Sequence, residues 1–203
     1  MRTAPTRLVS FVGCTLAAVL TACASSSGLG TMPVGVVELY DLAAPDGLME
    51  VELERDGTVL EMEADVSPAD LPPVVRDAAL ARLPGARITG AEREIHVTGR
   101  FWEVKLTHEG REWEVICDDG GQVVETEREL RRDEAPAEVL AAAERALSGS
   151  FKSVEIVEGR AGTAYHVKKT AGGASYKIVL APDGTVLRKV REHRAEIEIP
   201  LRD

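Results

Sequence analysis

From residue 48 onward the chain alternates apolar and polar residues over short stretches, and a slower period interrupts this twice. The stretches 48–54 and 58–64 flank Asp56-Gly57. They predict a hairpin, because a strand turns successive side chains to opposite faces and Asp-Gly supplies the backbone of a tight turn. In the segment that opens Leu71-Pro72-Pro73 and closes at Gly85, Val75, Ala79 and Leu83 recur every fourth residue. Val139, Ala143 and Leu147 do the same between Ala135-Pro136 and Gly149. Each predicts a helix with one apolar stripe. Proline opens it at no cost in backbone hydrogen bonds, and glycine ends it by taking the left-handed conformation.

After each helix the alternation resumes in four segments, 88–97, 101–107, 112–118 and 122–130, then 154–158, 164–168, 175–180 and 185–190, with glycine-bearing turns between most of them. The two sets share an offset of about 63 residues, which aligns Trp102 with Tyr165, Val104 with Val167, Trp113 with Tyr176, Val115 with Ile178 and Gly121 with Gly184. The predicted fold is therefore α+β, with two tandem repeats, each a helix plus a four-stranded antiparallel meander. The helices pack on one face of the sheet, and an N-terminal hairpin precedes them. Residues 47–131 hold the hairpin and first repeat, and 132–203 the second. Alternation puts Trp102, Val104 and Leu106, with Trp113, Val115 and Cys117, on the face the helices cover. Phe101, Glu103 and Lys105 fall on the opposite, open face.

The head of the chain has a different texture. Arg2 and Arg7 precede an uncharged apolar run at 8–20, so 1–22 reads as a secretory leader, too short to span a bilayer comfortably. It closes Leu20-Thr21-Ala22-Cys23, which resembles the bacterial lipobox. That resemblance implies cleavage before Cys23, lipidation of its thiol and a stable membrane anchor. Ala24 follows the cysteine where an Asp would retain the protein at the inner membrane, which implies an outer-membrane anchor facing the periplasm in a host with two membranes. Residues 23–46 begin small, polar and glycine-rich, as a flexible tether does.

Composition narrows the chemistry. The 203 residues are 44% hydrophobic and 29% charged, the signature of a folding chain. A formal net charge of -10 opposes binding to phosphate backbones, so nucleic acid is not an expected partner. Cys14 and Cys23 belong to the head, which leaves Cys117 as a lone buried hydrophobe in the body. His96, His108, His166 and His193 show none of the local spacings of a metalloenzyme, no serine sits in a nucleophile elbow, and the glycine pairs fit hairpins rather than phosphate cradles. The carboxylates of 50–56 and 125–134, interleaved with arginine, read as a solvated face. No catalytic set, metal site or cofactor is expected.

The body also carries a family resemblance. Phe101-Trp-Glu-Val, Glu112-Trp-Glu-Val and Asp119-Gly-Gly-Gln-Val-Val, then Ala164-Tyr-His-Val, Ser175-Tyr-Lys-Ile and Pro182-Asp-Gly-Thr-Val-Leu, resemble the PepSY and PepSY-like families. The latter are described as similar to β-lactamase-inhibitor proteins. The resemblance implies a non-enzymatic envelope module that binds and restrains a protease or another envelope protein or peptide. Phe101, Glu103, Glu112 and Glu114 are the candidate contacts on the open face, whose acidity favours basic partners. The alternative is a small-molecule or cation-binding lipoprotein that uses Glu103, Glu112 and Glu114.

Overall fold

A computed structural model describes residues 49–54 and 58–192. The leader, Cys23, the tether, the Asp56-Gly57 turn and His193 lie outside the described residues. Strands β1 (Met49–Leu53) and β2 (Val59–Val66) come first, followed by a single 3-10 turn, Pro68–Asp70, and helix α1 (Pro73–Arg82). Strands β3 (Arg87–His96), β4 (Gly99–His108), β5 (Arg111–Asp118) and β6 (Val123–Leu130) lead to helix α2 (Ala137–Ala146). Strands β7 (Ser150–Gly159), β8 (Gly162–Ala171), β9 (Ala174–Leu180) and β10 (Val186–Arg191) complete the described chain. Among the described residues no helix is long and apolar enough to cross a membrane.

All ten strands form one sheet in strict sequence order, each antiparallel to its neighbour. This corrects the expected architecture of two tandem helix-plus-meander repeats behind a hairpin. The structure is a single ten-stranded antiparallel sheet with two small helices. The physical reason lies at the supposed boundary. There β6 and β7 pair without a break from Glu125 opposite Gly159 to Leu130 opposite Val154, and β2 pairs with β3 from Glu61 opposite His96 to Val66 opposite Ala91. Strand edges that would be left open by separate meanders are satisfied by the adjoining strand, so backbone hydrogen bonding runs through.

The helices cover the apolar face. Val75, Ala79 and Leu83 of the α1 segment pack with Trp102, Val104, Leu106, Val115 and Cys117, all buried. Val139, Ala142 and Ala143 of α2 pack with Val154, Tyr165, Val167, Ile178 and Leu180. Each fully buried valine contributes roughly 1.5–3 kcal/mol relative to exposure. Met62 and Ala64 form a smaller cluster with Met49, Val51, Val59 and Ile95, which seats β1 on the sheet.

The two glycines at the helix ends act differently. Gly85 has the left-handed backbone expected after α1, at φ +86°. Gly149 does not, since its φ is not positive, and a Cβ there would stand 2.3 Å from the carbonyl oxygen of Thr170. At that position glycine is required by the close approach of β7 to β8.

Candidate functional site

The face opposite the helices is where alternation leaves the charge. In β2 it presents Glu61, Glu63 and Asp65; in β3, Glu92, Glu94 and His96; in β4, Phe101, Glu103 and Lys105. Further on it presents Glu112 and Glu114 in β5, Glu125 and Glu127 in β6, Glu155 in β7, and His166 and Lys168 in β8. Register then sets like charges directly opposite one another: Glu63 faces Glu94, Asp65 and Glu103 both face Glu92, and Glu114 faces Glu127. Such pairs oppose sheet formation. A face assembled against that cost, repeated across several strands, is the kind of local conflict that marks a functional surface.

This face is also curled inward. In a flat sheet β1 and β10 would stand roughly 40 Å apart at the usual strand spacing. Instead Glu52 of β1 and Arg188 of β10 form an ion pair across the charged face. Curling explains why carboxylates on this face are buried: Glu94 is 4% exposed, and Glu103, expected on the open side of the sheet, 8%.

Electrostatics follows from that burial. Burial together with repulsion from Glu61, Glu92, Glu94 and Glu50 pushes the Glu63 carboxyl up to about 9. Burial, then Glu114, Glu92 and Glu94, holds Glu103 well above the usual carboxylate range. Burial with Glu127 and Glu155 raises Glu114 to about 7, and burial with Glu127 does the same to Glu125. Cations answer part of this charge. Lys105 pairs with Glu92 and lies 3.9 Å from both Asp65 and Glu103. Lys168 Nζ is 3.2 Å from Glu155. His96 Nε2 lies 2.6 Å from Glu61 Oε1 and 3.2 Å from Glu94 Oε2. Burial pulls the His96 imidazolium down, but hydrogen bonds to Glu61 and Glu94 outweigh it and bring it up to about 10.

The sequence-derived contact residues share this face but not one environment. Phe101 is half-buried, with its ring edge-on to His96 at 5.3 Å between centroids. Glu103 is buried among carboxylates, Glu114 is half-buried, and Glu112 is exposed at the start of β5. Local spacing in the sequence missed His96 and His166. A pair two apart in one strand, such as Glu94 and His96, shares a face, and that signal was present. The partner Glu61 comes from the neighbouring strand and is readable only once the register is known. Among the described residues, three groups bring carboxylate oxygens or imidazole nitrogens within 4.8 Å of one another: Glu61, Glu94 and His96; Glu63, Glu94 and Glu103; and Glu127, Glu155 and His166.

Cys117 lies in the apolar core, where burial and then the charge of Asp118 raise its thiol to about 11, so it does not present a reactive thiolate. Trp102 is buried as well, and its indole N–H donates to Asp119 Oδ1 at 2.9 Å. Arg93 reaches the same carboxylate at 2.6 Å while stacking over the Trp102 ring.

No protein-family model matches the chain, and no curated protein matches it. Solved structures do resemble it. One from Bacteroides eggerthii, a protein assigned provisionally to the periplasm, aligns with a TM-score of 0.50 at 20% identity, over 59% of this chain and 88% of that one. A DUF2874 family protein from Bacteroides uniformis aligns with a TM-score of 0.49 at 21% identity, over 60% of this chain and 89% of that one. A BLIP-like protein from Bacteroides fragilis gives a TM-score of 0.48 at 24% identity, over 64% and 93%. At these identities the likeness to the first is one of fold.

Proposed function

We propose that this chain is a non-catalytic binding module of the bacterial cell envelope, held there by lipid on Cys23, and that its curled acidic face receives a basic segment of another envelope protein. The observation that carries the reading is the run of like-charged pairs facing one another on that face, with Glu94 and Glu103 buried among them. A lysine or arginine side chain entering the curl relieves repulsion that the fold otherwise bears, so the cost of folding becomes affinity for the partner. Phe101 supplies an apolar surface on the same face. The resemblance in sequence to PepSY-like proteins supports restraint of a protease or another envelope protein as the outcome of binding, and the lipobox supports the anchor.

The test captures partners from solubilised envelope with the full chain and with Phe101→Ala and Glu112→Gln variants of unchanged circular dichroism. A partner retained by the wild type, lost in the double variant and released by 0.5 M salt supports the reading, since about 0.5 M salt screens surface charge within a few ångström. Capture indifferent to both variant and salt overturns it. The anchor is checked separately: labelled palmitate enters the wild type but not Cys23→Ala, and equal labelling of both would dismiss it.

A further inference from the structure

The helix-bearing face of the sheet holds a cleft of its own. Leu106 and His108 of β4 stand two residues apart, hence on one face, and Leu106 belongs to the core that α1 covers. Register sets Arg111 opposite His108, Trp113 opposite Leu106, and Arg128 of β6 opposite Trp113. These side chains therefore leave the sheet on the side away from the acidic face. With Glu109 of the β4–β5 turn and Glu134 of the segment leading into α2, they line a cleft of about 420 Å³, room for a small organic molecule.

The charges along this cleft are answered unequally. Arg111 grips Glu134 through two N–H groups, at 2.7 and 2.9 Å. Arg131 reaches the same carboxylate at 2.8 Å and Asp133 at 3.3 Å. Glu109, out in solvent, lies 4.0 Å from His108 Nε2. Arg128 is the exception. Half-buried, it has no carboxylate partner among the described residues, and it lies over the Trp113 ring at 5.3 Å from the centroid. Carboxylates are in surplus in this chain, 34 acidic residues to 24 basic ones, and Arg93, Arg111, Arg131 and Arg188 each pair with one. A guanidinium stacked on an indole keeps its planar N–H edge for an anion from outside, and that edge meets a carboxylate with two parallel hydrogen bonds. The indole beside it offers apolar surface.

The last two strands carry the same stack without the cleft's other members. Arg191 of β10 faces Tyr176 of β9 and lies over its ring at 6.0 Å. There Arg191 is exposed, and the residue opposite Tyr176 on β8 is Lys169, engaged by Glu144.

We propose that Arg128 and Trp113, with His108 and Arg111 at the margin, form a binding site for a small organic carboxylate with a flat apolar body. The guanidinium holds the carboxylate and the indole the body. The site stands apart from the partner reading above, which uses the other face of the sheet, and neither depends on the other. Benzoate titrated into the isotope-labelled full-length chain in detergent tests it by nuclear magnetic resonance, with benzamide as the uncharged analogue. Two tryptophans give two indole N–H resonances, which Trp113→Phe assigns. Benzoate moves the Trp113 resonance saturably and leaves that of buried Trp102 in place. Arg128→Gln weakens this binding about tenfold, and benzamide binds about tenfold more weakly than benzoate. Arg191→Gln, on the other stack, stays within about twofold of the wild type. Should Arg128→Gln lose its fold by circular dichroism, Arg128→Lys, which keeps the charge but not the fork, weakens benzoate in its place. No saturable shift up to tens of millimolar benzoate, equal binding of benzamide, or affinity unchanged by folded substitutions at Arg128 would overturn the assignment.

Discussion

Glu114 joins burial, charge and stability at a single residue. Burial, then Glu127 and Glu155, raises its carboxyl to about 7 against an ordinary 4.5, with Lys168 and Lys105 pulling the other way. Between those values the folded chain holds a proton that the unfolded chain has released, so stability falls as pH rises through the window and stays lower above it. Glu114→Gln therefore raises the melting temperature at pH 8, by an amount worth about 1–2 kcal/mol or roughly 3–6 °C, and changes it little at pH 4. Scanning calorimetry at the two pH values checks this, and an equal shift at both would contradict it. Lys169 poses the opposite problem: it is 1% exposed on the apolar face, and its ammonium donates to Glu144 of α2 at 2.6 Å. Glu144→Ala strands that buried charge and lowers the denaturant midpoint, by an amount tempered because Glu144 itself stands half in water. Lys169→Met, which removes the charge instead, is close to neutral. Denaturant midpoints of the two variants separate stranding a charge from deleting it.

Strands and helices repeat the lesson at a larger scale. Gly149→Ala drives a methyl group against the Thr170 carbonyl at the start of β7, and costs about 1–3 kcal/mol by forcing β7 from β8. Gly85→Ala, with open space around it, pays only for its left-handed backbone, about 1 kcal/mol. Chemical denaturation ranks the two. The sequence could not have ranked them, since both glycines stand at the same place after a helix. What was legible was local: period-two runs marked the strands, period-four stripes the helices, and Trp102, Val104 and Cys117 the buried face. What was not legible depended on distant pairing. The join of β6 to β7, which replaced two repeats with one sheet, involves segments separated by α2, and no pattern within either segment records it. The same holds for Glu61 and His96, which meet only because β2 lies beside β3. The carboxylates of β6 read as solvated because alternation reports a face without reporting its curvature.

For the whole molecule, an unbroken ladder of ten strands predicts one cooperative unfolding transition across the described region. Calorimetric and van't Hoff enthalpies agree if it does so. Two resolved transitions, or a fragment ending at residue 131 that folds alone, would show instead that the β6 to β7 seam is weak. The ion pair between Glu52 and Arg188 has a consequence for the molecule among its own copies. The first and last strands of any open sheet carry backbone groups ready to pair with a neighbouring chain, the route by which β proteins stick together and form fibres. By holding the two margins toward each other, this pair acts as a clasp against self-assembly. Arg188→Glu opens the clasp by repulsion, and sedimentation at rising protein concentration then finds oligomers that the wild type does not form.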